Sequence, residues 1–372
     1  MCIRDRIKES IRPIVSLYEK KTEVTSSKNY EINDDNLGEG TESQRIQNNL
    51  NALKALNIIE EEQRNATIEE KEILSKYVGW GGLPSVFKED NKYNNELRSL
   101  LSDEEYKSAR ESSLTAFYTP SKVIDGIYGA LDKMNVRGTR DFKILEPSAG
   151  IGSFIGKKPK NLINAEYTAI EKDRLSGRIA KALYPESNVI ISGIEDTDLN
   201  NNSFDVAIGN VPFGDFKIYD SDYENNNFLI HDYFFAKALD KVKPGGIVAL
   251  ITSSGTMDKK DDNVRKYLAE RAELVGALRL PNNTFTKNAG TSVTSDIIFL
   301  KKRENKIEIT DDNRPDWLDL DEEQGEEINK YFKNNRSHVL GDLKLISTQF
   351  GKALACVDDG LNTDIRTRTV SY

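Results

Sequence analysis

The chain has 372 residues, of which 37% are hydrophobic and 30% charged, with a net charge of −9; this is the composition of a water-soluble protein long enough for two domains with cores of their own. No apolar stretch approaches the roughly 20 residues needed to cross a bilayer, and the start has no charged-then-apolar export signal, so a cytoplasmic protein with no membrane partner is expected. The two cysteines lie near opposite ends and there are two histidines, which gives no cluster spaced for zinc or for a disulfide framework, and no metal is expected in the chemistry.

Met1-Cys2-Ile3-Arg4-Asp5-Arg6 reads like a translated adaptor, and the chain is taken as a fragment. Residues 1–39 are polar and without a sustained period, so a poorly ordered segment is expected, with one helix near Ile11–Glu19. Residues 40–113 are expected to be helical. Thr41 with Gln44, Thr67 with Glu70 and Ser102 with Glu105 each fit a capping box, in which a hydroxyl and a carboxylate or amide satisfy the first free backbone donors of a helix. Ile46, Leu50, Leu53 and Leu56 recur at three- and four-residue steps, one buried stripe. Tyr77–Pro84 is a glycine-rich turn around Trp80. It reads as a packing device in which glycine lets backbone approach the ring, with a contact to nucleic acid or a partner as the other reading.

Residues 114–303 are expected to form an α/β domain. Thr119 as cap and Pro120 at the first helical position open a helix. Strands are predicted over Phe142–Pro147, Tyr167–Glu171, Val189–Ser192, Phe204–Gly209, Gly246–Thr252, Leu274–Leu280 and Ser295–Lys301. Helices are predicted near Ser153–Lys157, Leu175–Tyr184, Asp232–Val242 and Asn263–Arg271. That alternation points to a mostly parallel seven-stranded sheet with helices on both faces, and ligands on such sheets sit beyond the carboxyl ends of the strands. Residues 304–372 read as an acidic segment and a linker: between Glu304 and Glu327 eleven acids stand against Lys306 and Arg314, which accounts for the whole net charge. The remainder is neutral and shows no basic patch, which counts against tight autonomous DNA binding.

The candidate site motifs all fall at strand ends. Glu146-Pro147-Ser148-Ala149-Gly150-Ile151-Gly152 follows the first strand, and its glycines allow backbone to pass close to a ligand. It has neither the dinucleotide spacing nor the lysine of a phosphate loop, so a pyrophosphate or nicotinamide ligand is disfavoured. Glu171 closes the second strand, where a carboxylate can accept both hydroxyls of a ribose. Beyond the third, Glu195 or Asp196 can meet an adenine amino group, and the sequence does not choose between them. Asn210-Val211-Pro212-Phe213 closes the fourth. An aromatic amine is a weak nucleophile because its lone pair spreads into the ring; two acceptors aimed at its hydrogens, the Asn210 side-chain oxygen and the Val211 carbonyl, would hold it pyramidal. Pro212 stiffens the turn and Phe213 offers a face to an extruded base. His231, heading an apolar helix, reads as structural, and Asp215–Leu229 as a lid or turn.

In their order, Phe117–Pro120, Glu146–Gly152, Glu171 and Asn210–Phe213 resemble the amino-methyltransferases of DNA that carry an Asn-Pro-Pro-Phe or Tyr motif. Tyr77–Pro84, Ser176–Ala180, Ile208–Gly214, His231–Leu239 and Lys243–Gly246 further resemble the methylase module of the large methylase–helicase proteins of phages and conjugative elements, over roughly Thr41 to Lys302. The resemblance implies a class I methyltransferase fold and S-adenosylmethionine as cofactor. It makes Glu146, Pro147, Ser148, Gly150, Gly152 and Glu171 cofactor contacts, and Phe117, Tyr118 and Thr119 a cap on its methionine end. Asn210, Val211, Pro212 and Phe213 become the catalytic turn, with Asn210 also facing the cofactor. The implied reaction is methylation of adenine N6 in DNA, with a helicase-like part of the same intact polypeptide as partner. Val211 departs from the family's proline, which leaves the turn less rigid. The same amide chemistry would suit cytosine N4, RNA or a protein glutamine. A cofactor-binding but silent docking module is the reading from another class.

Overall fold

The structure is a computed structural model that describes residues 25–112, 118–286, 292–348, 351–360 and 365. Among the described residues four α-helices come first: α1 (Glu42–Glu61), α2 (Ile68–Ser75), α3 (Asn94–Leu100) and α4 (Asp103–Ser112). All three capping boxes form, with Thr41 against Gln44, Thr67 against Glu70 and Ser102 against Glu105. Such reciprocal caps need only residues one helical turn apart, which is why they are legible locally. Helix α5 (Ser121–Lys133) starts one residue later than its sequence suggests: Pro120 takes the cap position and no side chain caps the helix, Thr119 included.

The α/β body then alternates. β1 (Lys143–Glu146), the short α6 (Ser153–Gly156), β2 (Glu166–Glu171), α7 (Arg174–Leu183), β3 (Asn188–Ile191) and β4 (Phe204–Asn210) are followed by α8 (Ile230–Lys241), β5 (Val242–Ser253), α9 (Gly255–Asp258), α10 (Asn263–Arg271), β6 (Ala272–Leu280) and β7 (Ser295–Lys302). The sheet order is β3-β2-β1-β4-β5-β7-β6, parallel except that β7 runs antiparallel between β5 and β6. This is the mostly parallel seven-stranded sheet with helices on both faces expected from the sequence. The order reverses at β1, so the ligand crevice is expected between the carboxyl ends of β1 and β4, where Glu146 and Asn210 stand.

Period-two alternation divides the strands between two cores, as a sheet covered on both faces requires. Ile144, Val206, Ile208, Ile251 and Phe299 face one core with α1, α5 and α7, and Leu145, Ala207, Val248, Leu250 and Ile298 face the other with α8 and α10. The N-terminal helices therefore share a core with the sheet. Arg178 of α7 ties them further, bonding Glu60 of α1 and Glu105 of α4.

Two expectations fail over the described residues, while the helix expected near Ile11–Glu19 lies outside them. Residues 25–39 are tied down: Tyr30 N donates to Leu183 O (2.9 Å), Ile32 N to Gly156 O (2.9 Å), and Ile32 is buried. Of the acidic segment and the linker expected after it, the described residues fold into β8 (Leu320–Glu323), β9 (Glu326–Asn329), α11 (Lys330–Asn334), β10 (Asp342–Thr348) and β11 (Gly351–Val357). Their sparse apolar residues, Ile309, Trp317, Leu318, Ile328 and Phe332, join the second core while the carboxylates stay outside. A few well-spaced large side chains outweigh a high average charge, since each buried one contributes about 1.5–3 kcal/mol.

Candidate active site

A cleft of about 580 Å³ opens at the carboxyl ends of β1 and β4. Glu146, at the end of β1, lies on its wall yet is buried, and its Oε2 has no hydrogen-bond partner among the described residues. Burial, reinforced by the nearby Glu171, pushes its carboxyl well above the usual carboxylate range. The turn behind it, Pro147–Ile151, is pinned to β2 by Ala149 N donating to Ile170 O (2.9 Å). Gly150 takes φ 57°, and its N–H donates to Glu171 Oε2 (2.6 Å), while Asp173 N donates to Glu171 Oε1 (2.6 Å). Glu171 is thus aimed by two main-chain donors. Burial nevertheless raises its pKa to about 7, against the lowering effect of those same hydrogen bonds.

Tyr118 closes this side. Its hydroxyl pairs with Ser176 Oγ (3.0 Å), and Ser176 donates in turn to Asp173 Oδ2 (2.6 Å). Thr119 also lines the cleft, while Phe117 lies outside the described residues. Pro147 and Ser148 are on the wall. Gly152 is not: at φ 79° it heads α6 and abuts Tyr184, where an added Cβ would lie 2.7 Å from the ring. Of the pair left open by the sequence, Glu195 lines the cleft and Asp196 does not. Glu195 is ion-paired with Lys172 (2.7 Å), a cation that is itself largely exposed.

The opposite wall is aromatic and comes from the end of β4. Asn210, Val211, Pro212 and Phe213 all line the cleft, and Val211 N donates to Ile251 O (3.1 Å), so the turn leaves the sheet only after its second residue. Phe213 is half-buried, against both cores. Phe216 and Ile218 extend this wall. Gly214 has no side chain because the Phe216 ring occupies that space, 2.6 Å from where a Cβ would sit. The loop they belong to is anchored on α8: Tyr233 and Lys237 both donate to Asp220 Oδ2 (2.7 Å each), and Tyr223 bonds Asp240. His231 is buried beside it and off the cleft wall, in line with a structural role, and burial lowers its pKa.

Several wall residues were not foreseen. Tyr77, Gly79 and Trp80 belong to the glycine-rich turn read as packing, and they do pack, Tyr77 edge-on to both Trp80 and Tyr118 at ring distances of 6.1 and 6.3 Å. Their other edge lines the cleft. Phe285 stands five residues past the end of β6. Its place beyond a strand's carboxyl end was the available signal.

Against known proteins, the model of the N-6 DNA methylase family matches residues 100–338. The chain is 31% identical over 272 residues to the defense against restriction protein B of Escherichia phage P1, an alignment covering 71% of this chain and 10% of that protein. To the modification methylase CviBIII of Paramecium bursaria Chlorella virus NC1A it is 26% identical over 152 residues, 39% of each chain. To a Caenorhabditis elegans rRNA N(6)-adenosine-methyltransferase it is 33% identical over 138 residues, 36% of this chain and 56% of the worm protein. The chain thus spans a tenth of the phage relative and about two fifths of the viral methylase.

Proposed function

From the premise that the chain belongs to the N-6 DNA methylase family, we infer that it transfers a methyl group from S-adenosylmethionine to the N6 amino group of an adenine flipped out of DNA. One observation carries this reading: Asn210–Phe213, the amide and aromatic turn, shares one cleft with Glu146, Gly150 and Glu171.

The residues suit the cofactor. A buried carboxyl group whose Oε2 has no partner among the described residues, Glu146, calls for a polar ligand, and a second carboxyl held by two N–H groups, Glu171, is preset to accept hydroxyls when ionised. Glu146, Gly150 and Glu171 would hold S-adenosylmethionine, with Tyr118 and Thr119 over its methionine end and Glu195 toward its adenine. The cofactor supplies a methyl carbon activated by a positively charged sulfur.

The chain's part is to position and polarise the acceptor. The Asn210 carboxamide oxygen and the Val211 carbonyl accept the two amine hydrogens, which localises the nitrogen lone pair for attack. An amine nitrogen that gains a methyl group becomes acidic and its surplus proton leaves for solvent, so the chain need supply no strong base. Phe213 stacks on the extruded base and excludes water. Alignment of the two reactants is worth at most about 7–11 kcal/mol of the barrier.

Incubating the chain with methyl-labelled cofactor and bulk DNA should label N6-methyladenine on nucleoside analysis, and label confined to RNA would move the acceptor to the class named in the worm relative. Absence of label in any nucleic acid, with cofactor bound, would favour a silent docking module. A helicase-like region elsewhere in a longer polypeptide is the partner in this reading.

A further inference from the structure

Asn49 of α1 is fully buried and is no part of the cleft wall, yet both ends of its carboxamide engage one stretch of backbone. It accepts from Val78 N (2.9 Å) and donates to Gly79 O (2.5 Å). A matched donor and acceptor fix the turn in position and in rotation. Held this way, Gly79 stands at φ 64° with an added Cβ only 2.7 Å from Cε2 of Tyr118. On the other edge of the same ring, an added Cβ on Gly150 would lie 3.1 Å from Cε1. The Tyr118 ring is gripped between two left-handed glycines, one from the N-terminal helical layer and one from the turn after β1. The Tyr118 hydroxyl continues the line through Ser176 and Asp173 to Glu171, which also receives the Gly150 N–H.

We propose that Asn49 is a positioning residue for the cofactor side of the cleft, acting through Gly79 and Tyr118 on the Gly150 turn, so that the helical layer is a working part of the S-adenosylmethionine site. The ligand's identity rests on the functional reading above; the coupling rests on the contacts. Glycine has the widest backbone freedom of any residue, so a turn that depends on left-handed Gly150 keeps one shape only if something outside it limits that freedom. Tyr118 supplies the limit, and the Asn49 clamp keeps Tyr118 from swinging into the space of the 77–82 turn. Without the clamp the cofactor would have to order both segments on binding, and affinity falls by that cost.

The chain has two tryptophans: Trp80 on the cleft wall and Trp317 in the core on the other face of the sheet. Trp317→Phe leaves Trp80 as the only indole reporter. In that background, titration of the full chain with S-adenosylmethionine is read by Trp80 emission and by calorimetry. Asn49→Ala is expected to weaken binding about tenfold, with kcat at saturating cofactor within about twofold of the parent. Gly79→Ala, which keeps the clamp but presses a methyl group into Tyr118, should weaken binding comparably. Parent-like affinity in a variant with parent-like circular dichroism overturns the proposal, and if Asn49→Ala does not fold, Gly79→Ala decides it. A parent that binds while both variants bind equally well removes this inference alone. A parent that shows no binding removes the functional reading as well.

Discussion

On the β1–β3 side of the cleft Glu171 is held by main-chain hydrogen bonds and Tyr118 by a wedge of two glycines, whereas the β4 side presents phenylalanine rings on a loop. Glu171 is fixed by two N–H donors, and Tyr118 is wedged between glycines and tied to Ser176. Across the cleft, Phe213 is half-buried and Phe216 is 49% exposed; Tyr219, further along the same loop, is 82% exposed. The difference suits two kinds of ligand. A small flexible cofactor is bound well by groups already in place, because its own ordering is then the main cost. An extruded base offers a flat face, and stacking tolerates some freedom in the ring that receives it. Selectivity between the halves should therefore be separable by mutation.

The largest effect is expected at the boundary. Asn210→Ala should lower turnover about 10²–10³-fold, the usual scale for removing one group that polarises a reacting centre, while the cofactor dissociation constant moves little. Rapid-quench turnover beside calorimetric binding checks both numbers. A loss of cofactor affinity as large as the loss of rate would erase the division into two halves. Next comes Phe213→Ala, which should raise KM for DNA about 5- to 150-fold, corresponding to roughly 1–3 kcal/mol of stacking, and leave cofactor binding untouched. Equal weakening toward both ligands would show that the ring supports the cofactor wall too.

The strands were legible because β1, β4, β5 and β7 are short apolar runs that must be buried on both faces, and their ends fall within a few residues of those expected. The capping boxes were legible because their partners lie within one turn. The antiparallel insertion of β7 between β5 and β6 was not, since strand order follows from long-range pairing that no local pattern encodes. The direction a turn residue faces is likewise tertiary. Gly150 meets Tyr118 and lines the cleft, whereas Gly152, two residues on in the same motif, meets Tyr184 instead. Asp196 and Glu195 sit in one short turn, and only the second reaches the wall. Phe285 and Trp80 arrive from outside the motif order altogether. In the acidic stretch and just past it, counting charge hid five large apolar residues that the fold buries.

Glu171 offers a reversible test of the preset half. Its carboxyl, buried near Asp173 and Glu146, titrates at about 7 rather than the usual 4.5. A raised acid favours the protonated form in the folded chain: that share of stability is fully present below about pH 4.5 and is lost as the pH rises through about 7. Accepting ribose hydroxyls calls for the ionised form, so cofactor binding should have the opposite slope. Affinity is expected to rise about tenfold from pH 6 to pH 8, because ionisation of a group titrating near 7 rises by that factor. Calorimetry across this range measures it, and Glu171→Gln should flatten the profile. A profile that keeps its slope in the variant assigns the titration to another group.

The smallest effect separates stability from geometry within the helical layer. Thr67 caps α2, its hydroxyl accepting from Glu70 N while the Glu70 carboxylate accepts from Thr67 N (2.8 Å). Thr67→Ala removes the first of these bonds and should cost about 1 kcal/mol in urea unfolding. The same substitution leaves the Asn49 hydrogen bonds to Val78 and Gly79 intact, so cofactor affinity should stay within about twofold of the parent. Asn49→Ala should show the reverse balance, a large change in affinity for whatever it costs in stability. If instead affinity tracked stability across both substitutions, the layer would be acting only as a brace, and the rigidity of the cofactor half would have to come from the Glu171 hydrogen bonds alone.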